Sequence, residues 1–583
     1  MRAHFAILPL LLPATALAQV TISPNYVQAV PGQAIQFTAS ETGVVWQANN
    51  VIGGNAASGS VSGGGAFVAP ATLPSPAAVT VTAVAPDGTT ATATITLLAQ
   101  APTGTTYYVA PTGSDTNPGT ITAPFATLQH ASTIAVAGDT VLARAGVYNA
   151  LFTPTHSGNT TAGPITFASY PGELATLDGT GLAVPNGQNG LITAQNVNDV
   201  IIEGFEVRNY TTSSIKYVPV GIYVTGADTG VQIVNNHVHN ITTTAATTPA
   251  KCGSNALGMA FYGSKAPASI NGLVIAGNEV DHLMTGCSES ISIDGNVDGY
   301  AVLSNLVHDN NNIGIDSIGY EKVSPNPAYD MARNGEIRGN TVYNITSYGN
   351  PDYGNQYAAD GLYVDGGTQI VLEQNTVYAT DLGIELASEH KKHTTSYVTA
   401  RNNLVFDNNS NGISIGGYGP IRGGSDHVTI VNNTLYNNDT KQTGSGEFQI
   451  QYYATNNIFQ NNIVYAGSQG LFVHSYTKSE ADPAVLNNNI YFGAIGAVKA
   501  AFEWNKKNVA GFTAYRSYSG QDAQSQFIDP LFVDAAALDL NIQATSPALD
   551  AGLDLGSTIV GTVDIGGNPR VVNGLISVGA YQQ

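Results

Sequence analysis

Two hydrophobic rhythms divide the chain. From about residue 19 to 100, runs such as Ile35-Gln36-Phe37-Thr38 and Val79-Thr80-Val81-Thr82-Ala83-Val84 alternate apolar and polar side chains between Gly, Pro and Asp turns. That alternation predicts short, half-buried strands. Trp46, in Val44-Val45-Trp46-Gln47, is placed to be the buried aromatic of a small immunoglobulin-like β-sandwich spanning 19–100. Ala101-Pro102-Thr103-Gly104 reads as a linker. Beyond it the pattern becomes a recurring five-residue word: Ser290-Ile291-Ser292-Ile293-Asp294, Gly314-Ile315-Asp316-Ser317-Ile318, Gly361-Leu362-Tyr363-Val364-Asp365, Gly383-Ile384-Glu385-Leu386-Ala387 and others. Strand side chains alternate between faces, so the second and fourth residues point inward and the third and fifth outward.

A second phrase, Asn-x-apolar-aromatic or a close variant, begins at Asn236, Asn278, Asn305, Asn340, Asn375, Asn403, Asn433, Asn462 and Asn488. The copies lie about 30 residues apart, the period of a solenoid. An Asn at the same bend of every coil can pass hydrogen bonds from coil to coil. The predicted fold is therefore all-β: a right-handed parallel β-helix (solenoid) over 105–583, preceded by the immunoglobulin-like sandwich. Tyr107 to Asp115 with the helix-like stretch Phe125 to Ala135, and the tail from Phe527, resemble the end segments of exported β-helix proteins.

Charge narrows the partners. There are 41 acidic and 20 basic residues, a formal net charge of -21, with no basic cluster to hold nucleic acid. An anionic polymer would be repelled at long range. Met1-Arg2-Ala3-His4, the apolar run Phe5 to Leu12 and Ala16-Leu17-Ala18 predict a signal peptide over 1–18, and no later run is long enough to span a membrane. The expected location is secreted or periplasmic, with cell-surface or matrix attachment through the sandwich as an option. Cys252 and Cys287 are the only cysteines, and an oxidising compartment permits a bond between them.

Candidate chemistry follows from the outward columns. The third holds Ser292, Asp316, Tyr363 and Glu385, and the fifth Asp294, Ile318, Asp365 and Ala387. Stacked coils lie about 4.8 Å apart, so Asp294, Asp316 and Asp365 crowd one patch and should raise one another's pKa. Loops that lengthen here carry Tyr320, Glu321 and Tyr348, and the charged run Ser388 to His393 includes His390. With Asp294, Tyr363, Asp365 and Glu385, residues Tyr320, Glu321 and His390 are the candidate substrate contacts. Asp309 ends one strand and Asp316 follows the next turn, a pair that could flank one glycosidic bond. The segment Asn305 to Glu321 resembles the β-helical lacto-N-biosidase family of glycoside hydrolases. That resemblance implies a retaining mechanism with Asp309 as acid/base and Asp316 as nucleophile, and a carbohydrate substrate. A turn-forming Asn or Asp also occupies the Asp309 slot in other coils.

Two rivals stand beside this reading. A polysaccharide lyase would need a base, for which Lys391, Lys392 or Arg401 are available, and Ca²⁺ on Asp294, Asp365 and Glu385. A hydrolase needs no cofactor and no metal. The other rival is a non-catalytic glycan-binding surface protein. His237, His239, His308 and His474 are scattered over coils, with no spacing that converges on a metal.

Overall fold

The computed structural model describes residues 20–86, 88–245 and 252–583, and the leader expected at 1–18 lies outside them. Three long sheets of 16, 13 and 12 strands run through the described residues. Successive coils pair in parallel, apart from the antiparallel last pair of the 12-stranded sheet. The inward columns of the five-residue words fill a single continuous core, with Ile291, Ile315, Leu362 and Ile384 in one row and Ile293, Val364 and Leu386 in the next. Ser317 is the polar exception in that second row, and it is satisfied by the hydroxyl of Tyr300 from the 16-stranded sheet, which donates at 2.7 Å.

The Asn phrase forms a buried ladder. Each Asn Oδ1 accepts the backbone N–H of the Asn one coil earlier, from Asn236 to Asn278 (2.9 Å), Asn278 to Asn305 (3.0 Å), Asn305 to Asn340 (2.9 Å) and Asn340 to Asn375 (3.0 Å). The series continues through Asn403, Asn433 and Asn462. Its last member is Asn489, not Asn488, because Asn462 donates to Asn489 at 2.9 Å while Asn488 takes the left-handed bend at φ 55°. The bend needs a residue tolerant of positive φ and the rung needs an amide, so two adjacent Asn divide the two tasks.

Both ends are closed. At the N-terminal end a short helix, Leu128–Ile134, begins at Thr127, whose side chain accepts from His130 N, and it buries Leu128 and Ala131. At the other end the helix Phe512–Ser519 sets Phe512 and Tyr515 over the last coil. The tail then runs back along the 13-stranded sheet, packing Phe532, Leu540, Ile542 and Val578 against Leu404, Phe406 and Ile463.

Among the described residues of 22–97, a five-stranded, a four-stranded and a two-stranded sheet surround one core that includes Trp46, Phe37, Phe67 and Val81. This unit is packed on the β-helix. Ala78 and Leu98 meet Ile201, Val234, Val274, Ala276, Ala301 and Leu303 on the outer face of the 16-stranded sheet. Thr96 donates to Gln232 at 2.9 Å, and Gln28 donates to Thr166 at 3.0 Å. The contact covers a sheet face other than the 12-stranded one, which is left open.

Candidate active site

A cavity of about 470 Å³ opens on the 12-stranded sheet. Its floor is built by the strands Ile291–Gly295, Ile315–Ile318 and Asp360–Asp365, which supply Asp294, Asp316, Tyr363 and Asp365. Register places them as the outward columns require. Asp316 stands between Ser292 and Tyr363, and Asp294 lies beside Ile318. Asp294 and Asp365 are thus diagonal neighbours of Asp316 on adjacent coils, a spacing of roughly 7–8 Å between backbones. Strands hold these groups rigidly, which suits a reacting site.

The walls come from loops. Cys252 and Cys287 are disulfide-bonded and both line the cavity. The bond ties the loop before the strand Leu257–Gly263 to the loop before Ile291–Gly295, and Ser288 and Glu289 follow it directly. Tyr262, Glu321, Tyr353 and Glu389 complete the enclosure. Among the described residues no Lys or Arg lines it.

Crowding and burial dominate the electrostatics. Asp316 is held well above the usual carboxylate range, by burial first and then by the charges of Glu289, Asp365 and Asp294. Asp294 is shifted the same way by burial, Glu321 and Glu289. Burial pushes Glu289 up to about 7, and Glu321 and Glu389 add to it. Asp365 rises to about 8 through burial and Glu389, although it accepts a 2.7 Å hydrogen bond from the Glu389 backbone. One oxygen each of Asp294 and Asp316 has no hydrogen-bond partner within the described protein. Buried carboxyls without partners normally draw something in, whether protons, a ligand or an ion. Each of these carboxyls is shifted toward its protonated form, which suits a set that must supply a proton.

The other expected contacts are placed less uniformly. Glu321 lines the cavity and is ion-paired at 3.1 Å with His390, which stands behind it at the rim. That pair lowers Glu321 and raises His390. Tyr320 lies outside the lining, stacked on His393 at 3.7 Å. Tyr348 is exposed and stacked on Tyr357, leaving Tyr353 as the aromatic of that loop that reaches the cavity. Glu385 is one coil further along the sheet, buried and hydrogen-bonded by Ser414 (3.0 Å) and Gln451 (2.6 Å).

Asp309 is not brought together with Asp316. It belongs to the strand Leu306–Asn310 of the 13-stranded sheet, whereas Asp316 belongs to the 12-stranded sheet. The turn between them changes sheets, so the two side chains leave the coil on different faces. Asp309 takes φ 53°, sits outside the cavity lining, accepts from Asn344 at 3.1 Å and lies 2.7 Å from His308 Nδ1. The bases available to a lyase are also elsewhere. Lys391 and Lys392 line a separate cavity with Arg422 and Tyr453, and Arg401 is held by Glu373 at 2.6 Å.

Glu289, Glu389, Tyr262 and Tyr353 were not singled out from sequence. Tyr262 had a signal, since it fills the fifth position of the word Gly258-Met259-Ala260-Phe261-Tyr262, directly beside Asp294. Glu389 lies in the charged run already noted. Glu289 precedes its word in a loop, and no periodicity marks it.

Parallel sheets closing round one core with an Asn ladder define a parallel β-helix, and residues 107–270 match the family described as "Pel9A-like, right handed beta helix region". That matched segment ends before Glu289, Asp294 and Asp316. The chain is 40% identical over 442 residues to the uncharacterized protein YwoF of Bacillus subtilis (strain 168), covering 76% of this chain and 91% of that one. It belongs to the same family as YwoF, and its segment 107–270 is similar to the Pel9A-like right-handed β-helix region. Solved structures that share the fold include pectate lyase Pel9A, at 14% identity and TM-score 0.43 over 82% of this chain and 97% of that chain. Another is the GH136 lacto-N-biosidase of Eubacterium ramulus, at 13% identity and TM-score 0.45 over 67% and 64%. These are likenesses of fold alone. Among the described residues no helix is long and apolar enough to cross a membrane.

Proposed function

We propose that the protein is an exported glycoside hydrolase that cleaves a neutral oligo- or polysaccharide in the cavity on the 12-stranded sheet. One observation carries this reading: a carboxyl-rich cavity holds Asp294, Asp316 and Asp365 on its floor and Glu289 on its wall, with no Lys or Arg lining it among the described residues. Glycoside hydrolysis needs one carboxyl that keeps a proton for the leaving oxygen and another that acts at the anomeric carbon. Asp316 takes the second role, as the floor carboxylate on the strand between those of Asp294 and Asp365. Glu289 takes the first in place of Asp309. It lines the cavity, is pushed up to about 7, and its charge acts on Asp316 more than those of Asp365 and Asp294 do. Retention or inversion follows from the Glu289–Asp316 separation in the glycan complex and is read from the anomer first formed. Tyr262, Tyr353 and Tyr363 supply apolar ring surface for sugar. The residues 22–97 serve as an immunoglobulin-like module fixed to the flank.

Elimination on a uronate polymer is the second reading. The cavity's carboxylates could hold a hard cation such as Ca²⁺, with Glu321 and Asp365, whose oxygens converge, as its first holders. Bound there, the cation would neutralise a uronate carboxylate. The positions of Lys391, Lys392 and Arg401 disfavour this reading, because none can act as base in the cavity. The deciding experiment is a screen of neutral and uronate glycans with product mass and ultraviolet absorbance. Hydrolysis adds water and leaves no unsaturated sugar. A chelator-sensitive, absorbing product from a uronate polymer would overturn the proposal.

A further inference from the structure

A second cluster lies away from the cavity, on the outer face of the 13-stranded sheet. Three consecutive coils contribute His237-Val238-His239, Glu279-Val280-Asp281 and Leu306-Val307-His308. Register sets His237 beside Glu279, His239 beside Asp281, and Asp281 beside His308. The central Val of each strand is buried in the core, so the flanking residues all face outward. An imidazole-and-carboxylate lattice results that no spacing within one coil would show.

The atoms converge on Asp281. His308 Nε2 lies 3.3 Å from Glu279 Oε1 and 3.7 Å from Asp281 Oδ2. His237 Nε2 lies 3.3 Å from both oxygens of Asp281. Ligands at 2.0–2.1 Å from a tetrahedral zinc ion are about 3.3 Å from one another, so these separations already approach those of a coordination shell. The outer contacts fit as well. His308 Nδ1 lies 2.7 Å from Asp309 Oδ2, which orients the ring so that Nε2 faces Glu279 and Asp281. A carboxylate behind an imidazole is the usual support for a metal-binding His. His239, tied to Glu206 at 2.9 Å, stacks on His237 at 4.3 Å and holds that ring in place.

We propose that Glu279, Asp281 and His308 bind a divalent transition-metal ion of the zinc class that ties adjacent coils together, with His237 bracing Asp281 from its other side. Mixed nitrogen and oxygen donors favour such an ion over Ca²⁺, which takes oxygen alone. Asp309 acts as a positioning residue for His308 at this site, which gives its carboxylate a task unconnected with glycan cleavage.

The test titrates the full chain, stripped with a chelator, with Zn²⁺ by calorimetry and follows thermal unfolding in parallel. The expected result is one tight equivalent of Zn²⁺ per chain and a higher unfolding temperature with the ion. Asp281→Asn and His308→Gln should each weaken binding at least tenfold, and Asp309→Asn about 10- to 100-fold. Asp281→Asn changes volume little, so it remains informative if His308→Gln folds poorly. Asp316→Asn, in the cavity, should leave the equivalent intact. Absence of Zn²⁺ binding, binding that survives both Asp281→Asn and His308→Gln, or binding lost in Asp316→Asn would each overturn the proposal.

Discussion

Replacing Glu289 by Gln should make the protein inactive and more stable at once. Burial and neighbouring carboxylates raise this carboxyl from 4.5 to about 7. In the unfolded chain it ionises near its ordinary value, so between those two pH values the folded state holds a proton that the unfolded state has released. A carboxyl raised on folding therefore weakens the fold as pH climbs through that window, and has no such effect below it. At about 1.4 kcal/mol per pH unit, the penalty reaches an upper bound of about 3 kcal/mol at and above pH 7. Proton sharing with Asp316, Glu321 and Glu389 reduces the expected gain to about 1–2 kcal/mol. Gln keeps the shape and removes the charge. Denaturant unfolding of wild type and Glu289→Gln at pH 4 and pH 8 measures the effect, with glycan cleavage assayed on the same samples. The expected gain is absent at pH 4 and present at pH 8, with cleavage down by at least about 100-fold, as for loss of a general acid. Equal destabilisation at both pH values, or retained cleavage, would refute the reasoning.

Other expectations are independent of that one. Asn340 accepts from Asn305 and donates to Val302 O (2.9 Å) and Asn375 (3.0 Å), so Asn340→Ala should cost about 3 kcal/mol by stranding buried partners. Asn488→Gly, beside the ladder but outside it, should stay within about 0.5 kcal/mol in the same unfolding assay. Cleavage should decline as pH rises through about 7 to 8, where Glu289 and Asp365 lose their protons, and a pH–rate profile reads this directly. Opening the Cys252–Cys287 bond by the double Ser variant should lower stability by about 2–4 kcal/mol and raise KM, because the bond forms part of the cavity wall.

The strand words made the fold and half of the site legible. Period-two alternation fixes which side chains face out, and coil-to-coil stacking then brings Asp294, Asp316 and Asp365 together without further information. The ladder slipped by one residue at its last rung because Asn488 and Asn489 both satisfy the local pattern, and only the backbone bend distinguishes them. Asp309 pairs with Asp316 in the sequence because the two are close across a turn, but that turn carries the chain to another sheet. Glu289 and Tyr353 were invisible since loops set them, and loops have no period. The His237, Asp281 and His308 group was missed for the opposite reason. Its order lies in the register between coils, which single-strand spacing does not display.

The most direct measurement compares Asp316→Asn with Asp309→Asn in single-turnover cleavage of whichever neutral glycan the wild type hydrolyses. The account expects the Asp316 variant to lose at least about 1,000-fold in rate and the Asp309 variant to cleave at close to the wild-type rate. Loss in Asp309→Asn with cleavage retained in Asp316→Asn would contradict it and return the chemistry to the neighbouring sheet.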